Sequence, residues 1–286
     1  MSLHGRTALV TGGGGPLGRA FARALADAGA ARIVLVGRNE QALKEAAEQL
    51  ADTAADHGAD TAADRVANKP ADRVPDKPAD HMVRAVRTAV CDVSDPDSVD
   101  AVAAELADEN VSLLVNNAGV AGPVKPLVDI APDEWDDVFA ANVRGVYLMC
   151  RAFLPPMLAA GRGDIVNVAS VSGKRPLLHR TPYTASKMAL LGLTRTLAGE
   201  VGPRGVAVNS LSPGPVRGPR MDRNFRLTAE LTGCTVEEAE RDFASRAALG
   251  RLVEEHEVAQ ALVAMLAMPG LCGADIDLSA GMIAPA

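Results

Sequence analysis

Thr7-Ala8-Leu9-Val10-Thr11-Gly12-Gly13-Gly14-Gly15-Pro16-Leu17-Gly18 is the stretch that decides the fold. Its first five residues are a short apolar run suited to a buried parallel strand. Four glycines follow. From Pro16 the pattern turns helical, with Leu17, Phe21 and Leu25 on one face and Gly29 where a C-cap belongs. Pro16 suits a first helical position. Gly13-x-Gly15-x-x-Gly18, set between a strand and a helix, is the dinucleotide fingerprint. The glycines let backbone approach a pyrophosphate, and the helix N-terminus faces its charge.

Outward from this stretch the pattern keeps alternating. Apolar runs at 32–36, 83–90, 111–115, 164–169, 205–211 and 274–278 read as strands. Helical periodicity covers about 39–50, 92–108, 132–157, 183–201 and 254–267, with Pro155-Pro156 kinking or ending the third of these. Such alternation means a three-layer, Rossmann-like α/β fold: a doubly wound parallel sheet of about seven strands. Residues 1–286 are read as one domain with two irregular stretches. Residues 53–82 are rich in Ala, Asp, Arg and Pro and carry an eight-residue repeat, ADRVANKP at 63–70 and ADRVPDKP at 71–78. Too little apolar surface is present there to offset ordering, so a flexible insertion is expected. The polar stretch 215–250 reads as a substrate lid.

Composition narrows the function. The 286 residues are 48% hydrophobic with a net charge of -7, and the pI of about 5.3 argues against nucleic acid as a partner. Cys91, Cys150, Cys234 and Cys272 are widely spaced and read as reduced thiols, not a disulfide frame or metal site. No apolar run approaches the ~18 residues a membrane span needs. The apolar pattern begins by Thr7, leaving no room for a secretory segment, so a cytoplasmic protein is expected.

In an open α/β sheet, ligands bind beyond the carboxyl ends of the strands. Those ends hold the glycine turn, Gly37-Arg38, Asp92, Asn116-Asn117-Ala118-Gly119, Ser170 and Pro213-Gly214. Tyr183 and Lys187, four residues apart, share one face of the helix that follows Ser170. A free phenol has a pKa of about 10, and a fixed ammonium nearby favours its phenolate. The pair is a candidate general acid/base.

Together these motifs resemble the short-chain dehydrogenase/reductase superfamily, in its single-domain branch that includes 3-oxoacyl-acyl-carrier reductases. The resemblance covers nearly the whole chain except 53–82. Thr11-Gly12-x-x-x-Pro16-Leu17-Gly18 resembles the family's phosphate turn, Asn116-Asn117-Ala118-Gly119 its N-N-A-G motif, and Pro213-Gly214 its turn beside the nicotinamide. Ser170, thirteen residues before Tyr183, matches the catalytic serine; with Asn142 and Lys187 this completes a tetrad. The resemblance implies that Tyr183 exchanges a proton with a carbonyl oxygen. Lys187 tunes Tyr183 and holds the ribose, Ser170 bonds the substrate oxygen, and Asn142 holds a water. Cofactor contacts are implied at Gly12, Gly14, Gly15, Leu17, Gly18, Arg38, Asp92, Val93, Asn117, Ala118, Gly119, Tyr183, Lys187, Pro213, Gly214 and Val216. No metal is implied. Three positions depart from the family: Pro16 replaces a glycine, Gly218 a threonine, and Leu278-Ser279-Ala280-Gly281 the usual C-terminal motif.

The implied function is NAD(P)(H)-dependent interconversion of a secondary alcohol and a ketone. NADP(H) is favoured over NAD(H), because Gly37 leaves out the acid that accepts from a ribose 2′-OH and Arg38 offers a fork for phosphate. Lys174, Arg175, His179 and Arg180 before Tyr183, with Arg217, Arg220, Arg223 and Arg226 in the lid, favour an anionic substrate or one linked to CoA or an acyl carrier. Leu177 and Leu178 suit an apolar substrate body. Family members mostly form homotetramers through the helices at about 132–157 and 183–201, and a homodimer is the smaller option. The alternative is a non-catalytic NAD(P)-binding sensor or interaction protein on the same fold, against which the complete tetrad argues.

Overall fold

The computed structural model describes residues 3–63, 85–175 and 177–282. Seven parallel strands form one sheet in the order β3-β2-β1-β4-β5-β6-β7. They are β1 (Thr7–Thr11), β2 (Arg32–Gly37), β3 (Ala85–Val90), β4 (Val111–Asn116), β5 (Gly163–Val168), β6 (Val206–Pro213) and β7 (Asp275–Leu278). The order reverses between β1 and β4, so the crevice of a doubly wound sheet opens there. Helices α1 (Pro16–Asp27), α2 (Glu40–Ala63) and α9 (Glu255–Leu266) bury one face of the sheet. Helices α3 (Pro96–Glu105), α5 (Gly145–Ala160) and α6 (Thr181–Val201) bury the other. Central strands are buried on both faces, which is why they read as continuous apolar runs: all five residues of β1 are buried. No described helix is long and apolar enough to cross a membrane.

Three elements differ from the sequence expectation. The rod expected at 132–157 is two helices, α4 (Pro132–Phe139) and α5, joined by a π-helical turn at Ala140–Arg144. Pro155 and Pro156 do not end α5; they lie on its exposed side, and Gly161 in the left-handed conformation closes the helix. Helix α2 runs on to Ala63, into the segment expected to be flexible from residue 53. The rest of that segment, and the start of the strand expected at 83, lie outside the described residues. The polar stretch 215–250 holds two helices that its sequence does not announce: α7 (Pro219–Thr232) and α8 (Val236–Ala244) pack through Phe225 and Phe243, edge to face at 5.8 Å.

A buried polar chain sets the height of α6 on the sheet. Asn116 Nδ2 donates to Asn167 Oδ1, Asn167 Nδ2 donates to Thr194 Oγ1, and Ser210 Oγ donates to the same Thr194 oxygen, each at 2.9 Å. This ties β4, β5 and β6 to α6, the helix that carries Tyr183. Buried polar groups bonded to one another fix register in a way apolar packing alone does not; of these side chains only Asn116 Oδ1 is left without a protein partner among the described residues.

Candidate active site

The glycine turn is shaped by backbone contacts that leave no space for side chains. A Cβ on Gly18 would lie 2.2 Å from Gly12 O, and one on Gly12, whose φ is +66°, would meet Asn117 Nδ2 at 2.9 Å. Gly14 is backed by Ala42 at 3.0 Å in the same sense. Gly15 is the N-cap of α1 and Pro16 its first residue, so the N–H that Pro16 lacks is one a first helical turn leaves unbonded anyway. Leu17 and Gly18 follow in that turn. The first turn of a twelve-residue helix behind a bare backbone loop fits a pyrophosphate.

The Asn-Asn-Ala-Gly stretch serves as the far wall. Thr11 Oγ1 accepts from Asn117 N at 2.9 Å and Ala118 N at 3.0 Å, while Asn117 Nδ2 donates to Thr11 O at 3.0 Å. This locks the ends of β1 and β4 together at the switch point. The Thr11 hydroxyl is the hub, a role the motif spelling alone does not reveal. On the other flank Arg38 is 68% exposed at the end of β2, with Nη1 3.9 Å from Asp92 Oδ2 at the end of β3. Hydrogen bonds from Ser94, chiefly its hydroxyl, and the nearby Arg38 charge hold the Asp92 carboxyl below its ordinary range against the opposing effect of burial. Val93 is buried against Gly145.

Tyr183 and Lys187 share one face of α6, with Lys187 Nζ 5.9 Å from the Tyr183 ring centroid. Lys187 is buried, and its Nζ donates to Val168 O at 2.8 Å. Burial, with the Arg220 charge second, pulls the Lys187 ammonium down to about 8. Ser170 follows β5; it is buried, its backbone is nearly extended, and its Oγ accepts from Ser172 N at 3.1 Å. The turn after Ser170 presses on α6, where a Cβ on Gly173 would meet Lys187 C at 3.0 Å.

Asn142 is fully buried in the π turn. Its Oδ1 accepts from Val120 N at 2.8 Å, and its Nδ2 donates to Val120 O and to Ser186 Oγ, each at 3.0 Å. Both amide hydrogens are therefore used by protein. Asn142 joins the loop after Gly119 to α6, and Ser186 Oγ in turn donates to Tyr183 O at 2.8 Å. A π turn placed where a polar side chain must reach inward is a recurrent device at functional sites. Ser186 has no motif of its own; its phase, three residues after Tyr183, is the one available signal.

At the β6 end, Gly214 N donates to Leu278 O, and a Cβ there would meet Ser279 Cα at 2.7 Å. Pro213, Gly214 and Val216 thus run along the rim, with Val216 bridged to Val253. Gly218 has φ +145°, a conformation that disfavours a threonine at this point, and it caps α7. Two of the seven lysines and arginines near the mouth are already matched. Lys174 pairs with Asp275 and Asp277, and Arg217 with Glu240 at 2.8 Å and Glu254 at 3.0 Å.

A family profile described as Enoyl-(Acyl carrier protein) reductase matches residues 46–282, and one described as short chain dehydrogenase matches residues 6–57. The chain belongs to the short-chain dehydrogenase/reductase family. A Streptomyces violaceoruber protein assigned as ketoacyl reductase 1 of the granaticin polyketide synthase is 34% identical over 88% of this chain and 83% of its own length. The D-threitol dehydrogenase of Mycolicibacterium smegmatis is 37% identical over 74% of this chain and 70% of its own. L-sorbose reductase from Gluconobacter frateurii, solved with NADPH and L-sorbose, superimposes with a TM-score of 0.84 at 25% identity, covering 100% of this chain and 99% of that one. As a short-chain dehydrogenase/reductase, the chain is an NAD(P)-dependent oxidoreductase of the secondary alcohol–ketone class. The comparisons give the non-catalytic alternative no support.

The buried lysine of this short-chain dehydrogenase/reductase has a consequence for stability. Its folded pKa, near 8, lies below its ordinary value of 10.5. Between those values the unfolded chain binds more protons than the folded one, so stability rises with pH there. Wild type should therefore gain stability relative to Lys187→Met as pH goes from about 8 to about 10.5. Paired denaturant titrations across that window check it; a constant difference would contradict the buried ammonium.

Proposed function

We propose that the chain reduces a small ketone to a secondary alcohol with NADP(H) preferred over NAD(H), using Tyr183 as the proton donor, and that it runs the reverse oxidation with Tyr183 as the acceptor. The observation that carries this reading is the Tyr183–Lys187 face of α6, held at the switch-point crevice by Asn142 and Ser186. Thr11, Gly12, Gly14, Gly15, Leu17, Gly18, Asn117, Ala118 and Gly119 would line the dinucleotide's path. Arg38, Asp92 and Val93 would flank its adenosine end, and Pro213, Gly214 and Val216 its nicotinamide end. When bound, the nicotinamide supplies or accepts the hydride at the substrate carbon.

Tyr183 gives its phenol proton to the carbonyl oxygen, so that this proton and one hydride together turn C=O into CH–OH. Ser170 donates to the same oxygen and steadies the charge that develops on it. Lys187, as ammonium, favours the phenolate that Tyr183 becomes and then helps restore its proton. Asn142 holds α6 and the 120 loop in register and is a positioning residue. L-sorbose reductase with its NADPH supports the cofactor preference, as does Arg38, one position after the Gly37 that leaves out the acid. Nicotinamide absorbance with a panel of 3-oxoacyl thioesters, ketoses and oxo acids tests the reading. Absence of turnover across the panel with either cofactor would overturn it.

Assembly as a homodimer or homotetramer through α5 and α6 belongs to the same reading. Tyr147 on α5 is 51% exposed and Met188 on α6 46%, apolar surface suited to an isologous contact. Light scattering is expected to give a multiple of the chain mass; a stable monomer at micromolar concentration would contradict it.

A further inference from the structure

Arg19 joins the glycine turn to two helices. It stands at the end of the first turn of α1, with its side chain 29% exposed. Its Nε donates to Gly14 O in the glycine turn at 3.0 Å. Its Nη2 donates to Ala42 O at 3.3 Å and reaches Glu45 Oε2 at 3.5 Å, both on α2. Its Nη1 donates to Gln49 Oε1 at 3.0 Å, further along the same helix. All three nitrogens of the guanidinium are engaged, so Arg19 is a brace and not itself a ligand for an anion.

The brace crosses a gap that packing leaves open. A cleft of about 540 Å³ runs between α1 and α2, and Gly14, Arg19, Ala20, Ala46, Gln49 and Leu50 are among its walls. At one end the glycine turn comes so close to α2 that a Cβ on Gly14 would lie 3.0 Å from Ala42 C. The turn has its own anchor on the sheet, because Gly13 N donates to Val36 O at 3.0 Å. Gly37 is anchored as well, its oxygen accepting from Cys91 N at 2.9 Å. Arg38 is different. It stands just past the end of β2, before Asn39, whose Oδ1 caps α2 by accepting from Ala42 N at 3.1 Å. The backbone of Arg38 therefore follows the first turn of α2, and Arg19 holds that turn through Ala42.

We propose that Arg19 is a positioning residue for cofactor choice: it ties the first turn of α2 to the glycine turn and so holds Arg38 where a ribose 2′-phosphate is received. This rests on the NADP(H) reading above and deepens it, adding a second residue to the preference that Arg38 expresses. A pyrophosphate would rest on the glycine turn and α1, which keep their anchor on β2 when Arg19 is lost. A 2′-phosphate, carried only by NADP(H), would rest on Arg38. Loss of the brace therefore weakens NADP(H) more than NAD(H). The task calls for a planar fork, since two carbonyls on different elements are held at once; a lysine offers a single point of charge.

Dissociation constants of NADPH and NADH test this, read from the fluorescence of the bound cofactor on the full chain without substrate, at one ionic strength. Arg19→Gln should lower the NADPH-over-NADH preference about three- to thirtyfold, the range for residues coupled through a shared backbone segment. Arg19→Lys keeps the charge without the fork and should lower the preference as well; it also carries the test should Arg19→Gln fold poorly. In an Arg38→Ala background, Arg19→Gln should move the preference by no more than about twofold, because the group being positioned is gone. Equal weakening of both cofactors by Arg19→Gln is what a merely structural brace gives, and it overturns the proposal. A preference kept in full by Arg19→Lys overturns it too, as does an Arg19→Gln effect just as large without Arg38. A preference that Arg38→Ala abolishes and Arg19→Gln leaves untouched overturns this proposal alone. A wild type that shows no preference for NADPH overturns the cofactor reading and this proposal with it.

Discussion

Tyr183→Phe is expected to lower kcat by about 10²- to 10⁴-fold, the range associated with losing a positioned general acid. Cofactor affinity should stay within about twofold, because the substitution removes one oxygen and keeps the ring. Among the described residues no hydrogen bond of the fold uses the Tyr183 hydroxyl; its backbone oxygen, which accepts from Ser186, is unchanged. The helix beneath it is held by Thr194, bonded to Asn167 and Ser210, and by the close approach of Gly173. A loss of activity in this variant is therefore a loss of the proton and not of the fold. Steady-state kinetics with either direction of the reaction, together with an NADPH titration, measure the two quantities. A variant turning over within about tenfold of wild type would remove Tyr183 from the mechanism.

The double substitution Gly37→Asp with Arg38→Ala is expected to lower the NADP(H)-over-NAD(H) preference about a hundredfold, enough to reverse a moderate one. Space permits it: a Cβ on Gly37 would meet nothing nearer than Leu43 at 3.6 Å. A carboxylate at that strand end accepts from a ribose 2′-OH and repels a 2′-phosphate. Arg38 is exposed and only loosely paired with Asp92, so its loss costs the fold little. The ratio of kcat/KM values, taken at one ionic strength because exposed charges are screened, decides the matter. Wild type using NAD(H) at least as well as NADP(H) would refute the assignment of Arg38.

The sheet was legible because its central strands are buried on both sides and so need little but Val, Leu, Ile and Ala. The strand ends were legible because each carries a glycine or a short polar residue that a core position would exclude. The π turn was not. It depends on Asn142 finding Val120 and Ser186, partners 22 and 44 residues away that no local period encodes. The helices α7 and α8 were not read from the polar stretch 215–250; Thr235-x-x-Glu238 spells a capping box that the structure forms at the start of α8, but the apolar face beneath it is too small to show as periodicity. Charge alone misled over the loops. Seven lysines and arginines read alike in the sequence, yet Lys174 is matched by aspartates some hundred residues later, and Arg217 by glutamates of two other elements.

Helix α2 has 24 residues, about 36 Å at 1.5 Å each, whereas the six residues of β2 beside it span about 20 Å. The helix starts at the nucleotide end of β2 and runs back, so Ala63 stands well past the opposite edge of the sheet. Ala63 and Ala85, the first residue of β3, thus both stand at the end of the sheet away from the crevice. The join between them is a natural splice point: a fluorescent reporter or an affinity handle grafted in place of residues 64–84 would ride behind the enzyme like a trailer, leaving the crevice unshaded.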